Sequence, residues 1–187
     1  MTQVRIGSEN QGKDFSLYFW TPGAPEAEMR AALRKKWDWV VPTHATSTGR
    51  YAILLSNLLR VYQEPEKATV DDIRGAIEKG LNKEAFNRLK IALDAPSGEL
   101  SKVVRIPERT IARREIFKPD ESERILRVAS AFQRAIEVLG SLDTARRWFS
   151  SAKRALGGKT PMEFCDTEPG AEEVANLLGR IEHGVFS

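Results

Sequence analysis

Apolar residues recur along this chain at helical spacing, and nowhere do they alternate with period two over a useful length. After a polar leader, Phe15, Leu17, Tyr18, Phe19 and Trp20 form an aromatic run that suggests one short strand. Met29, Ala32, Leu33, Trp37 and Val40 then follow a helical period, as do Tyr51, Leu54, Leu55, Leu58 and Tyr62. Thr69, with Asp72 three residues on, is placed as the N-cap of a helix whose apolar face carries Val70, Ile73 and Ile77 and which Gly80 ends. The next helix puts Ala85, Phe86, Leu89 and Leu93 on one side. Asp120 and Glu123 form a start signal for a long helix striped by Ile125, Val128, Ala129, Phe132, Ala135, Ile136 and Leu139, until Gly140 stops it. The pattern predicts an all-α protein.

Between the second and the long helix lie GELSKVV and PERTIARREIF, separated by a break at Arg105-Ile106. Two short helices meeting at a tight corner have the layout of a helix-turn-helix. Leu100, Val104, Ile106 and Ile111 are suited to the wedge between them, and Pro107 to the first turn of the second helix. That helix presents Arg109, Thr110, Arg113 and Arg114 over one broad face. From Lys102 to Lys118, six basic residues stand against Glu108 and Glu115, a local charge of +4. With Lys102 and Arg105, the face suits DNA, since arginine forks bind guanine edges or phosphates. The other reading is a solvated basic helix that pairs with Glu108, Glu115, Glu121 and Glu123. Arg105 stands where a corner often carries glycine, so a left-handed backbone there costs ~1 kcal/mol and weakens the case for DNA.

The stretch from Ser141 to Ser187 reads differently. Ser141 caps a short helix with Leu142, Ala145, Trp148 and Phe149 on its apolar face, Leu156-Gly157-Gly158 makes a corner, and Thr160 to Glu163 is a capping box with Pro161 at the first helical position. A last helix, from about Pro169 to His183, carries Ala171, Val174, Leu177, Leu178 and Ile181 as its stripe. Gly184 supplies a left-handed cap over which Val185 can fold. The run holds no set of residues able to do chemistry and ends on apolar side chains, which suits a surface that holds another protein.

Composition narrows the classes. A chain of 187 residues with 41% hydrophobic and 29% charged residues is an ordinary globular protein. Its formal charge of +3 makes any nucleic-acid surface a local one. No stretch approaches ~18 unbroken apolar residues and the start lacks the features of a signal peptide, so no membrane association and a cytoplasmic location are expected. Cys165 is the lone cysteine, flanked by Glu163 and Asp166, and reads as buried and inert. Two histidines and one cysteine give zinc no ligand set. No carboxylate pair, nucleophile with its base, or phosphate loop is recognisable, so no catalytic residue, metal or cofactor is assigned.

An ordered set of motifs carries a resemblance. Ile77-Glu-Lys-Gly-Leu81, Arg109-Thr-Ile-Ala-Arg-Arg114 and Glu121-Ser-Glu-Arg-Ile-Leu-Arg127 are followed by Ala145-Arg-Arg-Trp148, by Ala155-Leu-Gly-Gly-Lys-Thr-Pro161, and by Gly170 through Leu178-Gly-Arg-Ile-Glu-His-Gly184. In these, the chain from about Asp71 to Ser187 resembles the Xre/MbcA/ParS antitoxin family, partners of RES-domain toxins in type II toxin–antitoxin pairs. The resemblance implies an Xre-like helix-turn-helix domain over residues 66–140 and a small helical toxin-binding domain over 141–187. A mostly helical N-terminal extension of unassigned role would occupy 1–65. It also implies binding to a toxin that degrades NAD, with the C-terminal region covering the entrance to the toxin's active site. Repression of the protein's own operon follows, through operator DNA and a homodimer or a hetero-oligomer with toxin. Carried onto this chain, the toxin-facing residues are Asn176, Arg180, His183, Val185 and Phe186. A stand-alone helix-turn-helix regulator, whose C-terminal domain dimerises or senses a signal, is the alternative.

Overall fold

Side-chain caps set where most of the helices begin. The computed structural model describes residues 69–184, so the elements expected before Thr69 and the fold-back of Val185 lie outside the described residues. Thr69 Oγ1 accepts from the Asp72 amide at 3.2 Å while the Asp72 carboxylate accepts from the Thr69 amide at 2.8 Å, which opens α1 (Val70–Lys79). Asn82 caps α2 (Lys83–Leu93), Ser141 caps α6 (Leu142–Ser150), and the Thr160–Glu163 box opens the single turn α7 (Pro161–Phe164). The corner pair α3 (Ser97–Val103) and α4 (Glu108–Arg113) instead begin after Pro96 and Pro107, with no side-chain cap. Pro107 thus stands just before its helix, its carbonyl accepting from the Ile111 amide at 3.0 Å.

The long helix α5 (Pro119–Leu139) starts earlier than Asp120 and Glu123 would place it. Its N-terminal carboxylate is Glu121, which accepts from the Lys118 amide at 2.8 Å, while Asp120 pairs with Arg124 and Glu123 faces solvent. The last helix α8 spans Glu168–Glu182 behind a Thr167 cap, and a 3-10 turn, Arg154–Leu156, leads from α6 towards α7.

Helix α5 is the spine. α1 and α2 pack on it from the helix-turn-helix side, α6 and α8 from the C-terminal side, and one continuous apolar core joins the two. Phe86, Phe117, Phe132 and Phe149 are its largest fully buried side chains, each worth about 1.5–3 kcal/mol of burial. Phe132 of α5 meets Phe149 of α6 edge-on at 5.2 Å between ring centroids, and Phe86 lies 6.2 Å from Phe117. Val70 departs from the predicted apolar face: it is 57% exposed, and Ile73 alone of that face is buried.

A short antiparallel contact pins the segment after α4 to the α1–α2 junction. The Phe117 amide donates to the Leu81 carbonyl at 2.7 Å and the Lys83 amide to the Glu115 carbonyl at 2.8 Å, around the pair Asn82–Ile116. Gly80 permits it, because a Cβ at φ 83° would stand 2.1 Å from the Phe117 carbonyl oxygen. Buried Ser122 completes the junction, accepting from the Leu81 amide and donating to the Lys118 carbonyl.

Candidate functional site

The corner of the helix-turn-helix is built from inside. Leu100, Val104, Ile106 and Ile111 are all buried in the wedge. Ser101, unremarked in the sequence, clamps the turn: its hydroxyl donates to the Ile106 carbonyl at 2.8 Å and its carbonyl accepts from the Ile106 amide at 3.1 Å. The turn needs a left-handed residue, and Arg105 takes that conformation at φ 53°.

The six basic and polar residues expected on the DNA face then fall into two groups. Lys102, Arg109 and Arg113 are exposed and form no ion pair among the described residues. With half-buried Thr110, Arg114 and the acidic Glu115, Arg109 and Arg113 line a hollow of about 470 Å³ at α4. Arg114 sits past the helix end, and its guanidinium donates to Glu121 at 2.8 Å, onto the carboxylate oxygen that also caps α5. Arg105 donates to Asp166 at 2.9 Å, across the boundary to the α7–α8 turn. These two arginines carry intramolecular partners, and Lys102, Arg109 and Arg113 remain the open cationic set.

Asp166 belongs to a small relay. Arg127 of α5 donates to the Asp166 carbonyl at 3.3 Å and to the Glu168 carboxylate at 2.7 Å, so the start of α8 is held to α5 beside the helix-turn-helix corner. The far end of α8 is tied to α5 by Arg134 and Glu182. Between these ties, Val174 and Leu178 are fully buried, with Ala171, Leu177 and Ile181 packed beside them. The centre of the α8 stripe is therefore buried within the protein, and Ala171, Leu177 and Ile181 remain half-buried at its edges. Its outer face carries Glu172, Ala175 and Asn176, with His183 exposed at its end. Arg180 is half-buried and donates to Glu173 at 3.0 Å. Val185 and Phe186 lie outside the described residues.

The Ala145-Arg-Arg-Trp148 motif divides its work. Arg146 reaches back to the last turn of α2, donating to the Ala92 carbonyl at 2.7 Å and to the Ile91 carbonyl at 3.0 Å, the latter shared with the Asp94 amide. Arg147 points to solvent and Trp148 is half-buried. Cys165 is buried, and that burial pushes its thiol up to about 12 against the opposing pull of the Arg127 charge. Among the described residues no group of three His, Cys, Asp or Glu side chains is placed to hold a metal ion, and no helix is long and apolar enough to cross a membrane.

Comparison with known proteins matches two stretches of the chain. Residues 72–130 match the Antitoxin Xre-like helix-turn-helix domain, and residues 134–184 match the Antitoxin Xre/MbcA/ParS C-terminal toxin-binding domain. The chain is similar to an Antitoxin Xre of Yersinia enterocolitica, 34% identical over 117 residues that cover 60% of this chain and 79% of that protein. An Antitoxin Xre of Photorhabdus laumondii is 39% identical over 95 residues, 48% of this chain and 64% of its own. A Prs ADP-ribosylating antitoxin of a Sphingobium species is 27% identical over 139 residues, 67% of this chain and 87% of its own.

Proposed function

Because the chain belongs to the Xre/MbcA/ParS antitoxin family, we propose that it neutralises a RES-domain toxin by covering the entrance to an NAD-degrading active site, and that it represses its own operon through α3 and α4. It acts by binding. The observation that carries the toxin half is the division of α8 into two faces. The centre of the apolar stripe is buried against α5, while Asn176, the Glu173-held Arg180 and His183 are left on the outer side and at the end that leads into Val185 and Phe186. A helix anchored along one side and free along the other can present a terminus to a cleft without unfolding its own core. The relative named Prs ADP-ribosylating antitoxin adds support for the partner class, since ADP-ribosylation draws its transferred group from NAD.

The DNA half rests on Lys102, Arg109 and Arg113, which no internal carboxylate neutralises among the described residues. Arginines one turn apart on a short helix are placed to meet base edges or phosphates in one groove. Growth rescue in cells expressing the cognate toxin tests the first half: removing residues 176–187 abolishes rescue, and intact rescue would sink it. Arg109→Ala with Arg113→Ala abolishes operator binding in a mobility-shift assay and spares rescue. A stand-alone regulator would show the second effect and have no toxin to neutralise.

A further inference from the structure

A second cationic surface lies away from the recognition helix. Between Ala145 and Pro161 the chain carries Arg146, Arg147, Lys153, Arg154 and Lys159 and no acidic residue. Arg146 is used inside the fold. Arg147, Arg154 and Lys159 are exposed, Lys153 is half-buried, and none of the four forms an ion pair among the described residues.

The backbone joins the two segments that carry Lys153 and Lys159. The Lys153 amide donates to the Lys159 carbonyl at 2.9 Å, and the Gly158 amide returns to the Lys153 carbonyl at 2.9 Å. Buried Leu156 anchors the loop, and Gly157 and Gly158 close it at φ 65° and 83°. The Lys153 ammonium lies 5.2 Å from the Trp148 ring centroid and Lys159 lies 6.0 Å from that of Phe164, so each cation is paired with an aromatic surface. Burial also pulls Lys153 below the ordinary lysine range, a cost that a bound anion would offset.

We propose that Arg147, Lys153, Arg154 and Lys159 form a second binding site for the phosphate backbone of duplex DNA, engaged together with α4. The chemistry is that of a sequence-independent contact: exposed Arg147 and Arg154, with Lys153 and Lys159 beside aromatic rings and only the Glu163 charge acting on Lys159. The position fits as well. Lys159 precedes α7 and Asp166 follows it, and α7 is a single turn, about 6 Å long. Asp166 grips Arg105 at the helix-turn-helix corner. Lys159 is therefore one short helix away from the helix-turn-helix corner, and contacts made by the patch would enlarge the footprint without adding base specificity.

The inference rests on the helix-turn-helix reading, and salt titration separates the two. Anisotropy is measured on the full chain with a labelled promoter duplex and a scrambled duplex, between about 50 and 200 mM salt. The triple variant Arg147→Gln, Arg154→Gln, Lys159→Gln keeps its helical circular dichroism. On both duplexes it lowers the slope of log affinity against log salt by about 2–3, roughly one for each phosphate left without its cation. Arg109→Ala with Arg113→Ala abolishes specific binding to the promoter duplex, leaving at most the weak binding shared with the scrambled one. If the slope is unchanged in the triple variant while the wild type binds, the second site is wrong and the helix-turn-helix reading survives. An unchanged slope with lost toxin affinity overturns it too, and marks the patch as a protein surface. A wild type that binds neither duplex sinks both.

Discussion

The guanidinium of Arg105 donates to the carboxylate of Asp166 at 2.9 Å, from a residue whose backbone is left-handed at φ 53°. The bond joins the helix-turn-helix corner to the turn before α8, 61 residues on. Both side chains are open to solvent, 57% and 40% exposed, so the pair is worth only about 0.2–1 kcal/mol. The conformation beneath it costs ~1 kcal/mol.

Two substitutions separate these terms. Arg105→Ala loses the pair and keeps the strain, whereas Arg105→Gly loses the pair and relieves it. The glycine variant is therefore expected to be more stable than the alanine variant by about 1 kcal/mol in urea denaturation. Equal midpoints would show that the corner stores no strain.

Two glycines of α8 should respond in opposite directions. A Cβ on Gly170 would lie 1.9 Å from the Phe164 carbonyl oxygen, so Gly170→Ala must push α7 off the start of α8, at a cost of roughly 1–3 kcal/mol. Around Gly179 nothing lies within 4 Å of an added Cβ, and Gly179→Ala should stabilise by roughly 0.5–1 kcal/mol. Thermal melts that move the same way in both variants contradict the packing described.

Gln133 on α5 is only 5% exposed, and its Oε1 has no hydrogen-bond partner among the described residues. Its amide makes only a long 3.5 Å contact with Glu137. Leaving a buried acceptor unsatisfied costs about 1–3 kcal/mol, so Gln133→Met, similar in length and apolar, should raise the urea midpoint. A lowered midpoint would mean that the amide holds a partner of real strength.

The Cys165 thiol, pushed to about 12 by burial, stays protonated at neutral pH, so iodoacetamide should label it only after unfolding. The folded value lies above the ordinary 9.0, so the stability tied to the protonated thiol is fully present below pH 9 and is lost as the pH climbs towards 12. Rapid labelling of the native protein would overturn the assignment.

Much of the fold is legible in the residues because its signals are short-range. The caps at Thr69, Ser141 and Thr160 depend on a side chain three residues away, and each forms as read. The stripe of α2, that of α5 apart from half-buried Leu139, and the wedge residues Leu100, Val104, Ile106 and Ile111 are buried for the same reason, a helical period that places them on one side.

Short range also explains what the residues leave open. Between Glu121 and Glu123 the choice of α5's N-terminal carboxylate depends on which residue begins the helix, and Val70 is exposed because no other element among the described residues covers that end of α1. Spacing cannot say which arginines of the basic cluster stay free, because Arg114 is taken by Glu121 and Arg105 by Asp166 only after α5 and α7 have docked. Arg146 reaches a helix end 54 residues earlier. The centre of the α8 stripe is open to a partner in the sequence and closed by α5 in the fold. Helices, caps and family membership are thus written in local runs of residues. Which charges and faces remain for a toxin or for DNA is settled only by folding, because that depends on side chains brought together from distant parts of the chain.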